Sequence, residues 1–162
     1  MDAKTGSGER DGAAVRFPPP LVPLIGLVLG IALQAFVWPL PLPLAGLARY
    51  GIAVVLLALG LALGIPAIRQ FVRTGQDPAP WESTPEIIAT GIYRITRNPM
   101  YLGMGFLQAG LGVALANGWV VALVPFTWLA IYFIAIRHEE VYLERKFGNV
   151  YTDYKKSVRR WL

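Results

Sequence analysis

The side chains able to do chemistry gather in two short stretches. The first, ITRNPMYLG at 95–103, sets a guanidinium (Arg97), an amide (Asn98), a proline (Pro99) and a phenol (Tyr101) at the mouth of an apolar run. The second leaves another apolar run at IRHEEVYLERKFGNVYTDY and carries Arg137, His138, Glu139, Glu140, Tyr151 and Tyr154. Arginine forks onto a carboxylate. Glutamate accepts from hydroxyls or an ammonium. Tyrosine faces attract a cation. The simpler reading of the first stretch is a helix start capped by Asn98, opened by Pro99 and anchored by an interfacial Tyr101. The simpler reading of Glu139-Glu140 is a solvated turn paired with Arg or Lys. The chain has no cysteine, and His138 is its one histidine, so thiolate and polyhistidine metal sites are excluded.

The elements that must carry these groups are apolar. Of 162 residues 55% are hydrophobic and 15% charged, with a net charge of +5. With such apolar runs, an anionic membrane surface is a better counter-ion than nucleic acid. Residues 1–16 read as a disordered polar tail, and residues 17–162 as one domain. Spans of suitable length and apolarity are expected at about 21–40, 51–68, 101–116 and 119–136. The first is too long, and too directly followed by WPLPLPL, for a cleaved leader. Asn117-Gly118 turns the last two into a hairpin, with a kink expected at Pro125. Lys and Arg number fourteen on the side of the tail, the loop 69–100 and the C-terminal segment, against Arg49 alone on the other. The expectation is an all-α integral membrane bundle of four transmembrane helices, both termini cytoplasmic. Arg, Ala, Leu and Gly richness points to a bacterial inner membrane.

In the third span Tyr101, Gly105, Gln108 and Gly112 share a face, with Gln108 turned inward and the glycines serving helix packing. The loop 69–100 is long enough to expect function, and its STPEII resembles a capping box at Ser83 or Thr84 with Glu86. Phe147, Tyr151, Tyr154, Val158 and Trp161 form an aromatic stripe. It reads as a cytoplasmic C-terminal amphipathic helix on anionic headgroups, or as part of a site wall.

GIYRITRNPMYLG, then Glu139-Glu140, then Phe147-Gly148, Tyr151 and Tyr154, resembles the isoprenylcysteine carboxyl methyltransferase family and the wider group of membrane methyltransferases that includes phospholipid N-methyltransferases. The likeness covers residues 69–162. Asn98 stands where the isoprenylcysteine family has a histidine, as in the phospholipid enzymes. The resemblance implies S-adenosylmethionine as cofactor, met by Asn98, Tyr101, Gly103, Glu139 and Tyr151. It also implies Arg97, Glu140 and Arg137 as catalytic residues nearer a lipidic methyl acceptor, and no metal. A carboxylate acceptor needs no base; an amine must first lose a proton, to Glu140 or His138. A small membrane protein without catalysis is the remaining alternative.

Overall fold

A computed structural model of the chain describes residues 11–44 and 46–162, all-helical with no strand among them. Most of the expected tail, residues 1–10, lies outside the described residues.

Helix α1 (Leu21–Phe36) starts after three prolines, which suit a helix entry, and stops before WPLPLPL. It is four residues shorter than the expected span 21–40, because the chain turns at Val37, ahead of the proline-rich residues. Helix α2 (Gly46–Arg73) is 28 residues long and passes straight through Pro66. At ~1.5 Å per residue it reaches roughly 42 Å, more than the ~30 Å of a hydrocarbon core. Helix α3 (Pro99–Ala114) opens on Pro99 at its first turn. After a turn in which Asn117 accepts from the Val120 amide, α4 (Gly118–Ala122) runs into α5 (Val124–Ile131). The break at Leu123 precedes Pro125, as expected. A π-turn (Tyr132–Ile136) leads into α6 (Arg137–Phe147). Gly148, at φ +53°, breaks the chain before α7 (Asn149–Ser157).

The helices α4 to α6 form one rod, Gly118–Phe147; among the described residues it and α2 are the two helices long and apolar enough to cross a membrane. Only 17% of the apolar window of α2 is buried, so this is not the core helix of a water-soluble protein. Leu24, Ile25 and Val28 of α1 and Val54, Val55 and Leu61 of α2 face outward, a surface suited to lipid.

Within the bundle Gln108 is buried as expected. Its amide donates to the Val120 carbonyl, and its oxygen accepts from Thr127 Oγ1 at 2.8 Å. Gly105 and Gly112 serve packing. A Cβ on Gly105 would lie 2.1 Å from the Trp128 indole nitrogen. At one end the 37–44 segment binds the α3–α4 turn: Trp119 Nε1 donates to the Trp38 carbonyl and the Gly118 amide to the Leu40 carbonyl. The residues able to do chemistry collect at the other end.

Candidate functional site

Five stretches meet at that end around a cavity with about 110 Å³ of room for solvent. The C-terminus of α2 supplies Phe71 and, after Gly75 at φ +67°, Gln76. The Gln76 backbone N–H bonds back to the Phe71 carbonyl at 2.9 Å, a left-handed glycine stop that turns the chain over the cavity, and this bond leaves the side-chain amide unused. Residues 77–90 then cross the mouth without helix. The expected capping box is absent: Ser83 Oγ donates to Asp11, and the Thr84 amide donates to the Tyr142 hydroxyl. These hydroxyl groups tie the loop to its neighbours instead of starting a helix.

Residues 11–16, assigned by sequence to a disordered tail, are packed. Ala13 and Val15 are buried, and the Ala13 amide bonds the Pro80 carbonyl. Asp11 accepts from Lys146 Nζ at 2.6 Å. The Lys146 and Ser83 hydrogen bonds pull its carboxyl down to about 2. The tail prediction failed here because it weighed composition and not the docking surface offered by Tyr142, Lys146 and the loop.

The motif at the start of α3 faces the cavity with Arg97, Asn98 and Tyr101. Asn98 occupies the cap position but does not cap; its Nδ2 donates to the Arg160 carbonyl at 3.0 Å. The Arg97 amide likewise donates to the Arg159 carbonyl, and Thr96 Oγ1 to that of Arg160. The last residues of the chain therefore lie along the motif. The expected aromatic stripe is no single helix: Gly148 interrupts it, and Val158 is already extended. Tyr151 turns into the cavity wall, and Trp161 packs against Trp128 at 6.3 Å.

From α6 come both carboxylates. Tyr101 donates a short hydrogen bond to Glu139. Glu140 accepts from Arg160 Nε and NH2 at 2.9 Å each, and lies 3.1 Å from Arg97 NH1. Arg97 and Glu140 side chains are 9% and 13% exposed, so this charge contact is largely dry. The contact is close without the alignment of a hydrogen bond, leaving Arg97 Nε and NH1 as unspent donors. The Gln76 amide and the Tyr93 hydroxyl are also buried without partners in the cavity wall. Burial holds Tyr151 and Tyr93 well above the ordinary phenol range and pushes Tyr154 up to about 12, so all three are neutral near pH 7. The Tyr154 hydroxyl donates to the Tyr93 carbonyl at 2.7 Å.

Of the sequence-assigned residues, Arg97, Asn98, Tyr101, Glu139, Glu140 and Tyr151 share one cavity. Two do not. Gly103 faces α2, where a Cβ would meet the Gly60 carbonyl at 2.8 Å, so it serves helix packing. Arg137 is exposed and not part of the cavity wall; two residues before Glu139 on α6, it is turned away from that carboxylate. Sequence reasoning missed Phe71, Gln76, Tyr93 and Arg160. The length of the loop 69–100 was the one signal for the first three.

The sequence pattern of the phospholipid methyltransferase family matches residues 48–150. The chain is 36% identical over 74 residues to a protein-S-isoprenylcysteine O-methyltransferase of Dictyostelium discoideum, covering 44% of this chain and 30% of that protein. It is 32% identical over 84 residues to a probable protein-S-isoprenylcysteine O-methyltransferase of Oryza sativa subsp. indica, covering 51% and 43% respectively. An uncharacterized protein of Haemophilus influenzae is 40% identical over 63 residues, 39% of this chain and the whole of that protein. The chain thus spans less than half the length of the isoprenylcysteine relatives it matches. No solved structure matches it.

Proposed function

Since the chain belongs to the phospholipid methyltransferase family, we propose that it is an integral membrane methyltransferase. In this reading it uses S-adenosylmethionine to methylate a lipidic carboxylate of the isoprenylcysteine kind. The observation that carries this reading is the set of buried, unspent polar groups in one cavity: Arg97 Nε and NH1, the Gln76 amide and the Tyr93 hydroxyl. Buried polar groups are costly to leave unmade, so such a cluster points to a ligand.

The residues present fit the cofactor. It carries a carboxylate, an ammonium, a ribose diol, an adenine and a sulfonium; the cavity offers a guanidinium, two carboxylates, amides and neutral phenols. When bound, S-adenosylmethionine would supply an electrophilic methyl group, open to in-line attack by an acceptor lone pair, with the thioether sulfur leaving with the electrons of the broken carbon–sulfur bond. The chain's part is binding and placement. Glu139, oriented by Tyr101, accepts from ammonium or hydroxyl groups, Asn98 adds an amide, and Tyr151 presents an aromatic face to positive charge. Arg97 forks onto the acceptor carboxylate and fixes its attacking oxygen. Glu140, itself fixed by Arg160, holds that guanidinium in place. The packed residues 11–16 and the loop 77–90 keep water from the reacting centre.

In the same reading all four apolar segments span the membrane, the cavity end faces the cytoplasm of a bacterial cell, and exposed Arg145 and Arg159 meet anionic headgroups. At 16 residues, ~24 Å, α1 requires local thinning or help from the residues that follow it. A phospholipid amine is the second acceptor reading, favoured by the name of the matching family; Glu139 or Glu140 would then take the proton. His138 does not line the cavity and has no part in it.

The test is calorimetric binding of S-adenosylhomocysteine to the purified protein in detergent and in nanodiscs. Saturable binding is expected, weakened at least tenfold in Glu139→Ala and measurably in Tyr101→Phe. Folded wild-type protein that binds nothing refutes the enzyme reading. Radiolabelled methyl donor with a farnesylated cysteine or with phosphatidylethanolamine then separates the acceptors, because a methyl ester releases its label in alkali and an N-methyl group does not.

A further inference from the structure

The cavity wall combines two kinds of chemistry. One set of lining residues holds the charges of Arg97, Glu139 and Glu140. The other is aromatic and apolar: Phe71 packs edge-on against Tyr93 at 6.0 Å, and Ile87 and Ile88 line the same wall. Gln76 goes with this second set, adjacent to Phe71 through its backbone hydrogen bond. Its residue is 6% exposed, and neither its amide nitrogen nor its amide oxygen has a partner. A glutamine of purely structural purpose would spend at least one of them. It follows α2 by three residues, its backbone fixed by the turn at Gly75, and its side chain is buried in the cavity wall.

A primary amide offers a donor and an acceptor side by side in one plane. That pair complements the N6 amino group and N7 of adenine, the match by which Gln and Asn read adenine elsewhere. A flat aromatic base suits the Phe71–Tyr93 and isoleucine walls. The charged residues of the same cavity suit the amino-acid portion of the same molecule. Resting on the cofactor reading above, we propose that Gln76 reads the N6/N7 edge of the adenine and so makes the site selective for adenosyl ligands.

The experiment compares three ligands by calorimetry on full-length protein in detergent: S-adenosylhomocysteine, S-inosylhomocysteine, and the 7-deaza analogue of the first. In the inosyl compound an oxygen replaces the amino group and faces the amide oxygen. In the 7-deaza compound a C–H replaces N7 and strands the amide N–H. Wild type is expected to bind each analogue about tenfold or more weakly than the parent, as sites with buried polar groups do when a partner is missing. In Gln76→Leu, which keeps a branched side chain of similar bulk and removes both hydrogen bonds, parent binding should fall about tenfold and the three ligands should come within about twofold of one another. Two results overturn the assignment while leaving the methyltransferase reading intact: wild type binding all three alike, or a folded Gln76→Leu keeping the wild-type ratios. If Gln76→Leu does not fold, the wild-type ratios alone decide. Absence of any S-adenosylhomocysteine binding overturns both.

Discussion

Glu140 is the shared counter-ion of two arginines in unequal surroundings, and neutralising it yields a graded result. Its carboxylate makes two 2.9 Å hydrogen bonds to Arg160 and lies 3.1 Å from Arg97 NH1. The Arg97 side chain is 9% exposed and that of Arg160 is 35%. Unit charges ~4 Å apart attract by about 4 kcal/mol at an effective dielectric of ~20, before desolvation is charged against them. Removing one partner from a buried pair leaves the other stranded, at a cost of about 3–5 kcal/mol. A pair as exposed as Arg160 contributes less than about 1 kcal/mol. Glu140→Gln should therefore destabilise by about 3 kcal/mol, most of it from Arg97, and Arg160→Ala by about 1 kcal/mol. The assay is denaturant unfolding in detergent micelles, followed by the fluorescence of the five tryptophans. A double-mutant cycle of Glu140→Gln with Arg97→Gln should return a coupling of at least ~1.5 kcal/mol. Additivity within ~0.5 kcal/mol would refute the counter-ion argument. So would an Arg160→Ala loss equal to that of Glu140→Gln, since burial would then not be setting the order.

Gly103→Ala should cost about 1–3 kcal/mol by forcing a methyl onto α2 while leaving S-adenosylhomocysteine affinity within about twofold, and Arg137→Ala should alter neither; thermal unfolding and calorimetry on both variants test this. The Asp11 clasp should be acid-sensitive. Its carboxyl titrates below the ordinary 3.8, so its contribution is present above that value and lost as pH falls through about 2. Hydrogen exchange across residues 11–15 and 76–84 should show protection above pH ~4 that weakens on further acidification, with Asp11→Asn already weakened at neutral pH.

Much of the helical content and half of the cavity were legible along the chain, because both rest on local chemistry. Pro99 opens α3 since proline suits a first helical turn, and Pro125 marks the break before α5. Gln108 points inward because a polar amide needs a partner away from lipid. Arg97, Asn98 and Tyr101 share one end of a helix, and Glu139 with Glu140 one turn of another, so each set reached the cavity together. Local patterns misled where a distant partner outbid them. Asn98 has the cap position and the right side chain, yet it bonds the Arg160 carbonyl. Ser83 and Thr84 resemble a helix start, yet they bind Asp11 and Tyr142.

The sequence alone determined an apolar, all-helical chain with its charges gathered at one end, because apolar length and helical period are properties of neighbouring residues. It could not decide what each charge faces. Gly148 breaks the aromatic stripe, the last five residues fold back along the Arg97-Asn98 motif, and residues 11–16 dock on the mouth loop. Gln76, unremarkable within TGQDP, becomes a buried amide with nothing to bond only when the end of α2 meets Tyr93 and the loop beyond it. Burial and pairing are set by residues far apart in the chain, and tertiary packing is what brings them together.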